Sequence, residues 1–271
     1  MREYQQIQLM AALKAALAAG DAILKVYSQP RVQRELKEDA TPVTEADRAA
    51  HSEIMEILMP LGFPVLSEEG RQIEFGERRQ WQTFWMIDPL DGTKEFLRKN
   101  GEFTVNIALI QGNQAVTGVV YAPLPDLMYF AEKGSGAFRV KDFKNKWADI
   151  SNLKDLKNLA KSLPLEDDGR SYRVVASRSH QNRHTRRFIR ALRKTHPGLE
   201  TVSRGSALKF CLVAEGTADI YPRFGPTWEW DTAAGQAVAE AAGCRVLLHD
   251  RDSSLDYNKE TLLNPWFIVK R

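Results

Sequence analysis

The chain has 271 residues and a mass of 30.7 kDa, with 43% hydrophobic and 27% charged residues. This composition excludes a collagen-like chain, low-complexity disorder and a small scaffold held by disulfides. The formal net charge of +3 is too small to require a nucleic-acid partner, and the length suits one large domain or two small ones.

The next features concern compartment and membrane. The two cysteines, Cys211 and Cys244, lack metal-ligand spacing and lie in apolar segments typical of buried free thiols. The lack of a disulfide framework favours a reducing compartment. No apolar run approaches about 18 residues, and polar residues interrupt the N-terminal segment, unlike a secretion signal. The sequence therefore predicts a cytoplasmic protein without a transmembrane segment and leaves a peripheral membrane contact open.

Hydrophobic periodicity predicts the elements of the chain. The first half contains two helices and then short strands: an amphipathic helix over 3–27, a helix over 45–58, strands at 63–67 and 84–88, and a meander over 103–111, 115–121 and 127–131. After a linker-like stretch at 161–170 the elements alternate: strands at 172–176, 199–202, 219–221, 244–248 and 266–269, and helices at 180–194, 207–215 and 231–242. The pattern predicts an α+β first half (1–165) and an α/β second half (166–271), packed as one mixed-layer unit.

The strongest chemical signal is the Asp-Pro-Leu-Asp-Gly-Thr stretch at residues 88–93. An apolar strand ends on Asp88, because the proline that follows has no N–H to donate to a sheet, and Asp91 comes at a glycine turn that leads into a helix. The two carboxylates and the carbonyl of Leu90 can converge there, and such oxygen ligands suit a hard cation such as Mg²⁺. The free N–H groups from Gly92 onward would face an anion such as phosphate. A plain turn followed by a helix cap is the alternative interpretation.

Further acidic positions fall near the ends of other predicted elements. Glu68 and Glu69 follow an apolar strand, where adjacent carboxylates repel unless a cation is present or water solvates both. Asp231 lies near a helix N-terminus ahead of small residues, and Asp47 lies three residues after Thr44 in a capping-box pattern. Taken alone, a solvated loop or helix capping would explain each of these positions.

Taken together, these acids resemble those of a known family. Their order, from Asp47 through Glu68-Glu69 and the 88–93 motif to Trp230-Asp231, is similar to that of the lithium-sensitive, Mg²⁺-dependent phosphomonoesterases. That superfamily includes inositol monophosphatase, fructose-1,6-bisphosphatase and the 3′(2′),5′-bisphosphate nucleotidases. The resemblance runs from about residue 5 to about residue 269. It implies a layered α-β-α-β-α sandwich and a site that holds two or three Mg²⁺ ions around a phosphate.

The branch within the superfamily is indicated by further stretches. Those that resemble the bacterial bisphosphate nucleotidases are Thr-Lys-Glu-Phe at 93–96 with the stretch 100–110, Val-Ala-Ser-Arg-Ser-His at 175–180, and Tyr-Pro-Arg-Phe-Gly-Pro-Thr at 221–227. Inositol monophosphatases usually carry Thr-x-Asn-Phe at the first place and lack the Ser-Arg-Ser-His signature. The resemblance therefore implies adenosine 3′,5′-bisphosphate, or its 5′-sulfated form, as the substrate.

The resemblance also implies a role for each matching residue. The metal ligands would be Glu68, Asp88, the carbonyl of Leu90, Asp91 and Asp231. Gly92 and Thr93 would form the phosphate-binding turn, and Thr93 with Glu68 or Asp47 would orient and deprotonate the attacking water. Substrate contacts would come from Glu68, Leu90, Asp91, Gly92, Thr93 and Asp231 near the metal, and from Ser177, Arg178, Ser179, His180, Ser206 and Lys209 around the nucleotide and its second phosphate.

The implied reaction is in-line attack of a metal-activated water on the 3′-phosphorus, which releases AMP and phosphate in a step linked to sulfate assimilation. The sequence argues against a covalent phospho-enzyme, because Thr93 has no adjacent His to act as its base. An inositol-1-phosphate or histidinol-phosphate phosphatase would share the metal site. A non-catalytic phosphate-nucleotide sensor is a third alternative.

The basic run at 178–194 fits two interpretations. A solvated helix face would account for most of its charges, whereas its first residues could receive the substrate's 5′-phosphate, because Arg and His⁺ suit phosphate oxygens. Aromatic residues are not interleaved with the run, which disfavours a nucleic-acid groove. The expected partner is therefore a small bisphosphate nucleotide and not a nucleic acid.

Overall fold

A computed structural model of the chain describes residues 2–29, 34–36, 42–166, 169–177 and 182–271. Its α-helices are α1 (Arg2–Tyr27), α2 (Glu45–Leu58), α3 (Phe75–Arg78), α4 (Thr93–Leu97), α5 (Phe143–Lys146), α6 (Leu153–Leu159), α7 (Arg183–Thr195), α8 (Leu208–Glu215) and α9 (Ala233–Ala241). Its strands are β1 (Arg34–Leu36), β2 (Pro42–Thr44), β3 (Val65–Ser67), β4 (Thr83–Asp91), β5 (Thr104–Gln111), β6 (Gln114–Ala122), β7 (Leu127–Glu132), β8 (Gly136–Lys141), β9 (Lys161–Ser162), β10 (Arg173–Ser177), β11 (Glu200–Arg204), β12 (Ile220–Arg223), β13 (Arg245–Leu248) and β14 (Phe267–Lys270).

The elements form five layers. Helices α1 and α2 cover one face of a seven-stranded sheet with the strand order β3-β4-β5-β6-β7-β8-β9. Helices α8 and α9 pack against its other face and also against a five-stranded sheet with the order β11-β10-β12-β14-β13. Helix α7 covers the outer face of that second sheet. This arrangement confirms the expected α+β fold with α-β-α-β-α layering, while the division at residue 165 stays a prediction.

Strand β4 contributes to two of the apolar interfaces at once. Because successive side chains point to opposite faces of a strand, Trp85 and Ile87 pack in the layer with α1 and α2, whereas Phe84 and Met86 pack in the layer with α8 and α9. All four side chains are buried. A strand buried on both faces appears in the sequence as a continuous apolar run, which explains why this segment shows no alternation.

Helix α9 lies unusually close to the seven-stranded sheet because small residues face each other there. A side chain at Gly118 of β6 would place its Cβ 2.4 Å from the carbonyl oxygen of Ala234 and 2.7 Å from the Cβ of Ala237. Glycine is therefore required at this position for close approach. The contact fixes the N-terminal end of α9 on the sheet and, with it, the position of Asp231, which lies two residues before the helix.

Helix α1 is more apolar than the sequence analysis predicted. In the described part of the chain, Gln6–Tyr27 is long and apolar enough to span a membrane by length and composition, with a mean hydropathy of 1.5, although no apolar run of that length was expected. The alanine-rich composition accounts for this result. However, 56% of the window is buried inside the protein, and Leu13, Ala16 and Ile23 are fully buried in the layer with α2. Ile7, near the start of the helix, is 51% exposed.

Most predicted elements are present with bounds shifted by a few residues. Strand β3 begins at Val65 and not at residue 63, and α7 begins at Arg183. The predicted start of that helix at His180 lies outside the described residues. Several short elements were not predicted: β1, β2, β8, β9, α3, α5 and α6. The layers depend on the longer elements, so these differences leave the architecture unchanged.

Replacing Glu215 with alanine is expected to destabilise the fold strongly. Its side chain is 4% exposed, pairs with Arg139 of β8 and accepts a hydrogen bond from the Tyr129 hydroxyl at 2.8 Å. Removing one member of a buried ion pair costs about 3–5 kcal/mol, because the other charge is left without its partner. Urea denaturation measures the loss. Glu77→Ala is the control, since it breaks an exposed pair with Arg71 that contributes at most about 1 kcal/mol; an equally small loss for Glu215→Ala would contradict the prediction.

Candidate metal and phosphate site

Three acidic segments meet at the carboxyl ends of β3 and β4. The strands are parallel, with Ser67 opposite Ile87, so Glu68 emerges beside Asp88. The backbone N–H of Glu68 donates to the carbonyl of Ile87 at 3.3 Å and fixes this register. Asp231 reaches the same point from the segment before α9. One carboxylate oxygen from each of Glu68, Asp88 and Asp231 lies within 4.8 Å of the others.

Burial and mutual repulsion raise the pKa of both aspartates in this acidic cluster. For Asp88 burial is the largest cause of the raised pKa, followed by the charges of Glu68, Asp91 and Asp231. The pKa of Asp231 is raised in the same way, first by burial and then by Asp91 and Glu68. The backbone N–H of Trp228 opposes this second shift, because it donates to Asp231 Oδ2 at 2.9 Å and stabilises the charged form.

These residues fit a hard divalent cation. Like charges this close together at a partly buried site cost free energy unless a cation neutralises them. All the donors of the cluster are carboxylate oxygens, the ligands that Mg²⁺ prefers, whereas zinc sites usually include sulfur or imidazole. Within the described ranges, Glu68, Asp88 and Asp231 form the one group of acidic, His or Cys residues that could hold a metal ion. These three side chains are thus the candidate ligands.

Two other predicted acids lie beside the cluster. The charges of Asp91 and Asp47 both raise the pKa of Asp88, which places them near it. Asn106, opposite Asp88 on β5, donates from Nδ2 to Asp91 Oδ2 at 3.3 Å and orients that carboxylate. The backbone N–H of Leu90 donates to Asp88 Oδ1 at 3.1 Å. The predicted roles of the Leu90 carbonyl as a metal ligand and of Asp47 in activating water stay predictions.

The predicted phosphate turn is held from the C-terminal half of the chain. Gly92 has φ +97° and precedes Thr93, the first residue of α4. The Ser206 hydroxyl donates to the carbonyl of Asp91 at 2.8 Å, and the carbonyl of Glu102 lies 2.7 Å from the same oxygen. Ser206 itself has φ +52°, a conformation that a non-glycine residue rarely adopts. The structure thus shows Ser206 supporting the turn; its predicted contact with substrate stays a prediction.

Glu102 strengthens this link between the two halves of the chain. Its Oε2 accepts a hydrogen bond from the backbone N–H of Gly205 at 2.9 Å, and its Oε1 lies 3.7 Å from Arg204. A side chain at Gly205 would place its Cβ 2.5 Å from the carbonyl oxygen of Glu102. The segment before α8 therefore packs directly on the segment before β5. The predicted phosphate turn lies beside this contact. This contact was not predicted from the sequence.

Lys209 of α8 supplies a buried positive charge next to the acidic cluster. Its ammonium group donates to the carbonyl of Ser206 and lies 5.6 Å from the centre of the Tyr221 ring. Burial lowers the pKa of Lys209 to about 8, although the negative charge of Asp91 opposes the shift. The charge interaction with Asp91 indicates that Lys209 lies near the predicted metal ligands. Its contact with a nucleotide phosphate stays a prediction.

Glu229 anchors the segment that carries Asp231, and sequence reasoning missed it. It has no exposed surface and accepts hydrogen bonds from the backbone N–H groups of Asn258 at 2.6 Å and Lys259 at 3.0 Å, and from Lys259 Nζ at 2.6 Å. Burial raises the pKa of Glu229, and the Lys259 charge opposes this. Asn264 extends the network by donating to the carbonyl of Trp228 at 3.0 Å. The C-terminal loop therefore fixes the last predicted metal ligand.

The predicted nucleotide segment is only partly described. Ser177 is the last residue of β10, whereas Arg178, Ser179 and His180 lie outside the described residues. On the other side of this gap, Asn182 caps α7, since its Oδ1 accepts from the backbone N–H of Thr185 at 2.9 Å. Arg223 of β12 was not singled out from the sequence, yet its charge lowers the pKa of Asp231. It lies near the acidic cluster.

The layers and the acidic cluster at the 88–93 turn fit a metal-dependent phosphomonoesterase. The family model of the inositol monophosphatase family matches residues 5–266, and the chain belongs to this family. The resemblance expected from the sequence is thereby confirmed.

Relatives narrow the comparison within the family. The chain is 46% identical over 256 residues to 3′(2′),5′-bisphosphate nucleotidase CysQ of Salmonella typhimurium, covering 93% of this chain and 94% of the relative. It is also 46% identical over 259 residues to the CysQ nucleotidase of Escherichia coli K12, with the same coverage. The crystal structure of CysQ from Bacteroides thetaiotaomicron superimposes with a TM-score of 0.92 at 49% identity, covering 98% of this chain and 97% of the other.

Proposed function

We propose that this protein is an Mg²⁺-dependent nucleotidase that hydrolyses adenosine 3′,5′-bisphosphate, or its 5′-sulfated form, to AMP or its sulfated counterpart and phosphate. The observation that carries the proposal is the cluster formed by the buried Asp88 and the half-buried Glu68 and Asp231 beside the 88–93 turn. The CysQ nucleotidases that match 93% of the chain support the choice of substrate. Two or three bound ions and a place in cytoplasmic sulfate assimilation are parts of the same proposal.

The residues of the chain support this reaction in distinct ways. Bound Mg²⁺ would neutralise phosphate charge and make water nucleophilic near neutral pH. The turn at Gly92 and Thr93 would hold the reacting phosphate, with the positive charge of Lys209 nearby. Glu68 or Asp47 would accept the proton of the attacking water, and Thr93 would orient that water. Because phosphoryl-transfer transition states are loose, positioning and electrostatics of this kind supply most of the rate.

The nucleotide would lie toward the C-terminal half. Ser177, Arg178, Ser179 and His180 are proposed to hold the nucleotide and its second phosphate, together with Lys209 and Ser206. Ser177 and Lys209 belong to β10 and α8, on either side of the same apolar layer. With these residues, the second phosphate of the substrate would lie toward the start of α7.

Phosphate release by the purified protein with Mg²⁺ tests the proposal. The substrates to compare are adenosine 3′,5′-bisphosphate and inositol 1-phosphate. We expect kcat/KM to favour the nucleotide by about 100-fold or more, which corresponds to about 2.7 kcal/mol of transition-state discrimination. The opposite preference would overturn the substrate and retain the phosphatase. If the protein binds the nucleotide tightly but releases no phosphate from any phosphomonoester with Mg²⁺, it is a nucleotide sensor and not an enzyme.

A further inference from the structure

The positive charge of this protein is concentrated on one helix. Helix α7 carries six cationic side chains and no acidic residue over Arg183–Thr195: Arg183, Arg186, Arg187, Arg190, Arg193 and Lys194. The formal net charge of the whole chain is +3, so the rest of the chain has a net charge of 3 − 6 = −3. The molecule is therefore electrically asymmetric, with its cationic side at α7.

These cations are not used for packing. The opposite side of the helix holds Thr185 and Ile189, which are buried against the second sheet. All six cationic residues are exposed, and none of them forms an ion pair with a residue of the described part of the chain. Like charges spaced four residues apart, as in Arg183–Arg187, Arg186–Arg190 and Arg190–Lys194, destabilise a helix. The basic face thus weakens the helix without any compensating contact within the described ranges.

The N-terminal end of α7 contacts the segment that follows β12, which connects it to the acidic cluster. Asn182, which caps the helix, donates from its side chain to the carbonyl of Phe224, and the Phe188 ring contacts the Phe224 ring with centroids 5.3 Å apart. Phe224 follows Arg223, whose charge reaches Asp231. The helix therefore begins beside the site and extends away from it for about 20 Å, given a rise of about 1.5 Å per residue.

We propose that the basic face of α7 is an electrostatic guide that attracts the substrate's second phosphate to the site. The inference rests on the proposed function, because it requires a substrate with more negative charge than a monophosphate. A patch of one sign beside a cleft raises the local concentration and association rate of an oppositely charged ligand by about 10- to 1000-fold. The guide compensates for the negative charge of the remaining surface and of the acidic cluster, which would otherwise repel this substrate.

Because the cations lie at different distances from the site along the helix, salt weakens their attraction for the substrate to different extents. Screening reduces electrostatic attraction beyond about 8 Å at 0.15 M salt but only beyond about 30 Å at 0.01 M. The cations of the first turn are nearest to the site, so salt screens their attraction least. The distal cations Arg190, Arg193 and Lys194, two or three turns further along, act mainly at low salt.

A triple charge reversal at the distal positions, R190E/R193E/K194E, tests the guide. In about 0.01 M salt with Mg²⁺, we expect kcat/KM for adenosine 3′,5′-bisphosphate to fall about tenfold, with kcat unchanged. In 0.5 M salt the difference should shrink below about twofold. The loss should be smaller for inositol 1-phosphate, which carries less charge.

The matched control is K14E/K154E/K161E, which changes the net charge by the same amount at exposed lysines outside α7. Equal losses in the two triple variants at low salt would overturn the guide, because net charge alone would then explain them. A lower kcat in the distal variant would also overturn it. The guide is also overturned if the distal variant loses binding of a single-stranded oligonucleotide while its kcat/KM for the nucleotide is unchanged. That result would indicate a nucleic-acid-binding surface.

Binding measured by calorimetry separates this inference from the proposed function. If the wild type binds the bisphosphate nucleotide without hydrolysing it, the proposed function fails. The guide still stands if the distal variant then binds about tenfold more weakly at low salt and normally at high salt. It fails if binding by the wild type and the distal variant has the same salt dependence.

Discussion

Replacing Asp88 with asparagine is expected to abolish phosphate release and, without divalent cations, to stabilise the fold. Asp88 is buried, and burial together with the charges of Glu68, Asp91 and Asp231 raises its pKa well above the ordinary value. An amide removes one of the repelling charges while keeping the shape of the side chain. It also removes a ligand charge from the proposed metal site, so the two effects have opposite signs.

The stabilisation has a defined pH dependence. A carboxyl group whose pKa is raised on folding stabilises the folded state below its unfolded pKa, and that contribution is lost as pH rises through the folded pKa. The ordinary pKa of the Asp88 carboxyl is 3.8. Without Mg²⁺, the wild type should therefore lose stability as the pH rises above this value. Asp88→Asn should lose less over the same range. At neutral pH without Mg²⁺, we expect Asp88→Asn to raise the free energy of unfolding by about 1 kcal/mol or more. Each kcal/mol corresponds to a rise of roughly 2–4 °C in Tm.

Calorimetric melting with and without Mg²⁺, together with phosphate release, measures both effects. We expect kcat to fall by about 10³-fold or more and the rise in Tm on adding Mg²⁺ to disappear. Asp91→Asn should also lose activity, but with a smaller gain in stability, because burial raises its pKa less: Lys209 and Asn106 stabilise its charged form. Asp250→Asn, at an exposed position, is the control. An active Asp88→Asn protein, or one destabilised without Mg²⁺, would refute the electrostatic account of the cluster.

Gly92→Ala is expected to reduce kcat/KM by about 100-fold, because it displaces the predicted phosphate turn. The residue has φ +97°, where alanine costs about 1–2 kcal/mol. In addition, an added Cβ would lie 2.3 Å from Ser206 Oγ and 3.3 Å from the carbonyl oxygen of Glu102. Ser206 can move only by breaking its hydrogen bond to the carbonyl of Asp91, so relief of the clash disturbs the turn itself.

Gly112→Ala provides the matched control. Gly112 also has a positive φ, +62°, but an added Cβ there would meet no atom within 4 Å. Both substitutions should lower the free energy of unfolding by about 1–2 kcal/mol from backbone strain, and only Gly92→Ala should lose activity. Retention of the Mg²⁺-induced rise in Tm by Gly92→Ala would show that its acidic cluster is intact. Equal activities of the two variants would rule out the role assigned to the turn.

Much of the site could be predicted because its acids occur at the ends of strongly apolar strands. Asp88 ends the apolar run of β4, and the pairing register shifts at the proline after it, although the strand itself continues to Asp91 and not only to the predicted end at Asp88. A local pattern of this kind needs no knowledge of the rest of the fold. The order of the acids along the chain then identified the family, and the family supplied the layers.

The supporting contacts could not be predicted, because they join residues far apart in sequence. Ser206 lies 115 residues from Asp91, whose carbonyl its hydroxyl contacts, and Gly205 lies 103 residues from Glu102. Glu229 looked like an ordinary charged residue, although its partners make it a buried anchor. The missed elements, such as β9 with two residues and α5 with four, are too short to show a hydrophobic period.

The shared helical layer also determines the order of events during synthesis. The last strand of the seven-stranded sheet ends at Ser162, whereas the helix that covers much of its inner face ends only at Ala241. At a translation rate of about 5–20 residues per second, roughly 4–16 s separate the two. Throughout that interval the nascent chain presents an uncovered apolar face that includes Phe84, Met86 and Val120. We therefore expect the growing polypeptide to be most prone to aggregation just before α9 leaves the ribosome.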